Sequence, residues 1–251
     1  MATITAAPST VRFSARRVEN LFFVGMSLLF LATVFLGFAH SYFLAGMLKA
    51  PLPNALIHVH GAVFSSWIIL LLVQVSLVSA GRLQMHRNLG IFGAVLALAM
   101  FVTGLLASMD EVAREFSPPG SHIDPKTFYA IPFLQIVIFS VLVTAAFLAR
   151  FDPAKHKRLM LIATISLLGP AVNRWPFALI QKAPPLTFLV LFAYVLLVVA
   201  FDLWSRRTIH RATLRGGLFF IVSQQLMFPI GHTALWHSFA TWTIHIWNSS
   251  R

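Results

Sequence analysis

The sequence predicts an all-α membrane protein, a single polytopic bundle of seven transmembrane helices with its N-terminus in the cytoplasm. Of the 251 residues, 58% are hydrophobic and only 10% are charged, whereas soluble domains carry roughly 45–50% apolar and about 25% charged residues. Several separate runs reach the ~20 apolar residues that a helix needs to cross a bilayer. Basic residues, finally, favour every second connection between these runs, as expected for alternating sides of a membrane.

The predicted spans follow one another with short connections. They cover residues 21–39, 55–80, 88–109, 128–149, 159–180, 186–204 and 216–235. The last apolar run continues to residue 247, which is too long for one span, and Pro229 and Gly231 should bend or end a helix within it. We therefore expect 236–251 to be an aromatic tail lying at the membrane interface. Three of its residues suit the headgroup belt: Trp236, Trp242 and Trp247.

Positive charge orients the predicted bundle. On the side of the N-terminus lie Arg12, Arg16, Arg17, Arg82, Arg87, Arg150, Lys155, Lys157, Arg158, Arg206, Arg207, Arg211 and Arg215, and on the other side lie Lys49, Arg114, Lys126, Lys182 and Arg251. This bias predicts a cytoplasmic N-terminus and an external C-terminus, in a bacterial inner membrane. The net charge of +12 is thus an orientation signal and requires no nucleic-acid partner. Residues 1–18 form a basic tail, for which a targeting role stays open, and 19–251 form one domain.

Two histidines occupy matching positions at the starts of two predicted spans. His86 begins the stretch His-Arg-Asn-Leu before the third span, and His156 begins His-Lys-Arg-Leu before the fifth. Both should lie at the same depth on the cytoplasmic side, where two imidazoles on facing helices can bind one haem iron axially. Arg87 and Arg158 would then hold the haem propionates. The alternative is that all these residues are ordinary interfacial cations that obey the positive-inside rule.

Other polar residues fall within the predicted spans, where such groups usually face the bundle interior or water. His60, followed by Gly61, is a further candidate ligand at the outer start of the second span. Arg174 has no acidic residue evident at its depth, and it either binds a partner or extends to the outer headgroups. Four residues are candidates for an outer-half polar pocket: Arg174, Asn173, Gln135 and Gln224. Asp202 should pair with Arg206, four residues later on the same helix.

Several motifs of known chemistry are missing from the sequence. It contains no nucleophile elbow, no phosphate-binding loop and no zinc-protease His-Glu-x-x-His. It also has no cysteine, which excludes disulfides, thiolate metal sites and cysteine nucleophiles. The spans hold no cluster of carboxylates, which disfavours proton-coupled transport and intramembrane proteolysis. Whether the protein is an enzyme stays undecided at this level.

Residues spread over most of the chain resemble an uncharacterised bacterial family of multi-span membrane proteins. They are 35–39, His60, Gly61, Gln74, Arg82, His86, Arg87, Leu89, Gly90, Gly104, 156–160, Arg174 and 216–218. More weakly, the second to fifth spans are similar to the four-helix core of the ascorbate-reducible two-haem cytochromes b, in which four successive helices each supply one histidine. That resemblance implies His60, His86 and His156 as ligands. Since the fourth span, 128–149, contains no histidine, it implies only one complete pair, His86 with His156.

Together these features predict a membrane protein that binds haem b and takes part in electron transfer with a quinone or another redox partner. Two alternatives remain open. One is a non-catalytic accessory, assembly or sensor protein without a cofactor. The other is a small-molecule carrier that uses the polar pocket around Arg174.

Overall fold

The computed structural model describes residues 9–48, 54–117, 122–183 and 185–249, and the regular secondary structure within these ranges is all helical. The helices are α1 Ser9–Phe38, α2 Ala45–Leu48, α3 Ala55–Ser79, α4 Leu83–Ala113, α5 Pro125–Leu148, α6 Pro153–Ile165, α7 Gly169–Asn173, α8 Ala178–Lys182, α9 Pro185–Arg206, α10 Arg211–Gly231 and α11 Ala234–Ser249. A short π-helical segment, Ala39–Phe43, continues α1. Residues 1–8 of the predicted basic tail lie outside the described ranges, and the rest of that tail belongs to α1.

Five of the described helices are long and apolar enough to cross a membrane: Arg16–Phe43, Ala55–Ser79, Leu83–Ala113, Pro125–Leu148 and Leu186–Arg206. Large apolar side chains face outward along them. On α4, Ile91, Val95 and Leu98 are 72%, 61% and 63% exposed, and their spacing places them on one face of the helix. So much outward apolar surface is suited to lipid, not to water. The chain is therefore an integral, multi-span membrane protein.

The predicted fifth span, 159–180, is not one continuous helix. The chain leaves helical geometry after α6, forms the short helix α7, and breaks again before α8. Pro170 and Pro176 account for the two breaks, because proline has no N–H to donate and its ring clashes with the carbonyl four residues earlier. Apolar composition alone predicted an unbroken helix here, and that prediction is wrong.

The broken segment nevertheless runs along α1 from Glu19 to Gly37. At its start, Lys157 forms an ion pair with Glu19 in the first part of α1. At its other end, the backbone of Ala171 faces Gly37, one residue before the end of α1. The pieces α6 and α7 therefore connect the two ends of the bundle, although neither piece is long enough to do so alone.

The predicted bend after the seventh span is present, and one tryptophan of the segment that follows it packs against the protein. α10 ends at Gly231, and α11 leaves it at an angle of 79°. Trp236, predicted for the headgroup belt, is buried because its ring packs against Tyr129 and Phe133 of α5 and its Nε1 donates to the carbonyl of Lys126 at 2.7 Å. α11 is thus attached to the outer surface of α5 through an aromatic cluster.

α5 lies at the centre of the bundle. It packs against α4, α6, α10 and α11, and its buried side chains include Phe139, Leu142 and Ala146. α1 packs on α3 and α7, and α9 packs on α6, α7 and α10. The core between them is apolar almost throughout.

A buried charged network joins three helices at one end of the bundle. Asp202, near the end of α9, accepts hydrogen bonds from Nε and Nη2 of Arg158 on α6 at 2.9 and 2.5 Å, and both side chains are 1% exposed or less. Asp202 also accepts from the hydroxyl of Thr213 on α10 and from the backbone N–H of His210. The predicted pairing of Asp202 with Arg206 is therefore wrong. We call this end of the molecule, marked by Glu19, Lys157, Arg158, Asp202 and His210, the basic end.

Replacing Asp202 by alanine should strongly destabilise the protein, because it leaves the Arg158 guanidinium buried without a counter-charge. The expected loss is about 3–5 kcal/mol of unfolding free energy, measured by denaturant unfolding in detergent micelles. The double variant Arg158→Met/Asp202→Leu removes both charges and should recover most of that loss. A double variant no more stable than Asp202→Ala would contradict this assignment.

Gly37→Ala should also destabilise the protein, because a Cβ atom at this position would lie 2.1 Å from the carbonyl oxygen of Ala171. Separating α1 from α7 should cost about 1–3 kcal/mol. Gly25, on the same helix, has no atom within 4 Å of the corresponding Cβ position, so Gly25→Ala is the matched control and should be neutral or slightly stabilising. Equal effects of the two substitutions in the same unfolding assay would argue against the close α1–α7 contact.

Candidate functional site

The structure brings His86 and His156 together at the basic end. Their ring centroids are 6.3 Å apart, and the ring planes are inclined at 83°. His86 lies in the first turn of α4 and His156 in the first turn of α6. Both helices flank α5, so the two imidazoles approach each other across its last turns.

Local sequence fixes the position of His156. α5 ends at Leu148, and the chain reverses over residues 149–152 before α6 begins. Asp152 caps α6 by accepting a hydrogen bond from the N–H of Lys155, and proline occupies the first turn, where its missing N–H costs nothing. This tight reversal returns His156 to the last turns of α5, where its Nδ1 lies 2.8 Å from the carbonyl oxygen of Ala146.

This contact determines which nitrogen of His156 is free. A carbonyl only accepts, so Nδ1 must carry the proton, and Nε2 of the neutral ring keeps its lone pair. Burial lowers the pKa of His156, and the hydrogen bond to the Ala146 carbonyl opposes that shift in part. The neutral ring with a free Nε2 is the form in which histidine binds metals.

His86 is less completely satisfied than His156. Its Nδ1 is buried and has no hydrogen-bond partner. The amide of Gln74 on α3 faces Gly90, one helical turn beyond His86, and Gln74 Oε1 is also buried without a partner. His86 Nδ1 and Gln74 Oε1 are thus both buried without a partner, whereas the great majority of buried polar atoms in proteins are paired.

The two arginines predicted to hold propionates differ in their surroundings. Arg87 follows His86 directly and is exposed. Arg158 is buried, and its guanidinium is already occupied by Asp202 and by the carbonyl of Ala154. Of the two, only Arg87 has a side chain free to reach a ligand.

His60 lies far from this pair. It precedes Gln74 by fourteen positions on α3, which corresponds to about 21 Å along the helix. Its ring packs on Phe64 at 4.1 Å between centroids, and its Nδ1 is buried without a partner. Gly61, expected to admit a planar ligand, instead faces the ring of Tyr42.

Arg174 also lies at the end of the bundle opposite the basic end. Its guanidinium donates to the carbonyl of Pro170 at 2.9 Å and stands 5.0 Å from the ring centroid of Phe38. Glu111, near the end of α4, interacts electrostatically with it. The sequence-based statement that no acidic residue lies at the depth of Arg174 is therefore wrong.

The residues predicted for one polar pocket occupy two places along α7. Asn173 and Arg174 lie at its end and are exposed, and Asn173 accepts a hydrogen bond from Thr187. Gln135 is buried and faces Gly169 at its beginning.

Gln224 is buried on α10, and neither atom of its amide has a hydrogen-bond partner. Its position along the bundle follows from two contacts between α10 and α5: Gly231 faces Ala130, and Gly216 faces Leu142. Gln224 lies midway between Gly216 and Gly231 on α10, and Gln135 lies near the midpoint of the facing stretch of α5, so the two residues are at about the same height. Of the two glutamines, Gln135 is the one in contact with the start of α7.

Sequence reasoning missed two parts of this site. The carbonyl of Ala146 carries no side-chain signal, and only the tight reversal before Pro153 could have indicated it. Gln74 entered only through the family resemblance, and its approach to α4 near His86 depends on how α3 packs against α4. Both omissions concern tertiary contacts that periodicity does not encode.

Among the described residues, no three side chains of the His, Asp and Glu types converge as a possible metal site. Comparison with protein-family models, with curated proteins and with solved structures finds no match to this chain.

Proposed function

We propose that this membrane protein binds one haem b between His86 and His156 and takes part in electron transfer within the membrane. The observation that carries the proposal is the apposition of the two imidazoles at 6.3 Å between centroids. The partner in electron transfer would be a quinone or another membrane redox protein.

The two imidazoles would hold the iron of a bound haem b, because histidine is a common haem ligand and their rings, on α4 and α6, lie 6.3 Å apart between centroids. His156 has a free Nε2, and its Nδ1–H is fixed by a backbone carbonyl, the outer-shell contact that typically orients such ligands. Among the described residues, no group of three His, Asp or Glu side chains is placed to hold a metal. Two histidines are enough for haem iron, because the porphyrin supplies the other ligands.

Each neighbouring residue has a defined part in this proposal. A bound haem b would supply one-electron transfer. Ala146 orients His156, exposed Arg87 is placed to pair with a propionate, and Arg158 secures the start of α6 instead of binding the ligand. His60, at the opposite end of the bundle, has no part in this site.

We further propose that the basic end faces the cytoplasm and that the chain crosses the membrane seven times. Seven crossings require the broken segment α6–α7 to count as one and the bent pair α10–α11 to contribute another. The path of α6–α7 along α1 supports the first point. The gathering of Lys157, Arg158, Arg206 and Arg211 at one end supports the orientation through the positive-inside rule.

The purified protein should show the Soret band of haem b in a reduced-minus-oxidised absorption spectrum after haem-supplemented expression. His86→Ala and His156→Ala should each remove the band or greatly reduce it, because both imidazoles would be needed to hold the haem firmly. Exogenous imidazole should restore part of it by entering the space left by the missing ring.

His122→Ala is the control for the loss of a histidine, because His122 is exposed in a connection far from the pair in sequence. It should leave the spectrum unchanged. A colourless wild-type protein, or a band that survives both His86→Ala and His156→Ala, would refute haem binding here and favour the accessory or carrier functions.

The orientation can be tested in the native chain because it contains no cysteine. In intact bacterial cells, an impermeant maleimide should label Glu115→Cys but not Arg82→Cys, which should react only after permeabilisation. Both positions are exposed, so a difference in reactivity reports the side of the membrane. The reverse pattern would show that the basic end faces outward.

A further inference from the structure

A cavity of about 400 Å³ opens at the basic end, beside the start of α10. It is lined by Lys155, Arg206, Thr208, Ile209, His210 and Arg211. Three of these six side chains are permanent cations, and two others carry hydrogen-bond donors. We call this concavity the cationic pocket.

The positive charge of the cationic pocket is only partly compensated. Lys155 forms an ion pair with Asp152 at 3.0 Å. In the part of the chain that the structure describes, no acidic side chain lies within ion-pair distance of Arg206 or Arg211. Asp202 is nearby, but its charge is balanced by Arg158. The pocket therefore keeps a net positive charge of two arginines.

The buried network of Asp202 holds the wall of the pocket in place. Asp202 accepts from the N–H of His210 at 3.1 Å and so fixes the connection between α9 and α10. Within this connection Arg207, the residue directly after α9, adopts a φ of 62°, a left-handed conformation that commonly ends a helix.

His210 presents a donor to the pocket. Its Nδ1 accepts a hydrogen bond from the N–H of Ala212, so in the neutral ring the proton is on Nε2. Burial, followed by the charges of Arg158 and Arg206, lowers the pKa of His210, which favours this neutral form. The first turn of α10, a helix of 21 residues, adds the positive end of its dipole.

The arrangement differs from scattered interfacial charge. Arg82 and Arg150 also belong to the side of the N-terminus, but neither lines the cationic pocket. Convergent arginines around a concave site, with a hydroxyl and an imidazole N–H beside them, match the multiple oxygen acceptors of a phosphate group. The pocket also lies at the end of transmembrane helices, at the level where lipid headgroups are found.

We propose that the cationic pocket binds the phosphate of an anionic phospholipid headgroup. Arg206 and Arg211 pair with the phosphate oxygens, and Thr208 and His210 donate to the headgroup. A zwitterionic lipid fits poorly, because the pocket repels the cation that its headgroup carries. This site is independent of the proposed haem site, and neither arginine takes part in the latter.

The test is native mass spectrometry of the full chain released from nanodiscs that contain equal parts of phosphatidylglycerol and phosphatidylcholine. The wild-type protein should retain phosphatidylglycerol in preference to phosphatidylcholine. Arg206→Gln/Arg211→Gln should reduce that retention by about tenfold or more, since each surface cation contributes appreciably to the binding of anionic lipid. Both side chains are exposed, so the double variant should fold.

Arg82→Gln/Arg150→Gln is the matched control, with the same loss of charge at the same end of the bundle but outside the pocket. It should retain phosphatidylglycerol as the wild type does. Equal retention of the two lipids by the wild type would overturn the proposal, as would an equal loss in both double variants.

Inorganic phosphate distinguishes the source of the phosphate group. If the phospholipid is the ligand, millimolar phosphate in the sample should not displace phosphatidylglycerol, because the lipid is held by its acyl chains as well. Displacement by phosphate, with the same dependence on Arg206 and Arg211, would show that the pocket recognises a free phosphate and would overturn the assignment to lipid.

Discussion

The buried ion pair between Arg158 and Asp202 is the interaction on which the rest of the basic end depends. Removing two charges from water is expensive, and the attraction between them compensates only when the remaining donors and acceptors are also satisfied. Here the carboxylate accepts four hydrogen bonds, two from Arg158 and one each from Thr213 and the His210 backbone. These bonds join α6, α9 and the start of α10 into one unit.

Both candidate sites are built on that unit. On one side, it anchors α6, whose first turn carries His156 toward His86. On the other side, it fixes the connection before α10, and with it the wall of the cationic pocket. The hydrogen-bonding groups of Arg158 and Asp202 are occupied by each other and by their neighbours, so neither is available to a ligand. The network instead positions His156 and the wall of the cationic pocket, in a region where connections between helices are otherwise mobile.

The features predicted correctly depend on the order of residues along the chain and not on tertiary contacts. The all-helical, multi-span architecture follows from apolar runs of sufficient length. The equal depth of His86 and His156 follows from their shared context, because each directly precedes basic or polar residues and then an apolar run, and that boundary sets the level in the membrane. The bend after Gly231 follows from the proline and glycine that end the helix.

The features that escaped prediction depend on backbone hydrogen bonds and on tertiary neighbours. Hydropathy measures composition and does not register that Pro170 removes a donor, so the segment 159–180 was predicted as one helix. The i,i+4 spacing on a helix predicted that Asp202 pairs with Arg206, but its partner is Arg158, 44 positions away in sequence. The burial of Trp236 against α5 depends on the angle of α11, which composition does not encode.

The most direct test of this account is the distance between positions 86 and 156, and its dependence on Asp202. Because the chain has no cysteine, nitroxide labels can be attached at His86→Cys and His156→Cys alone, and their dipolar broadening followed by continuous-wave electron paramagnetic resonance. Strong broadening is expected in the otherwise native chain, with a marked loss of it when Asp202→Ala is added. Absence of broadening in the native background, or broadening unaffected by Asp202→Ala, would contradict this account.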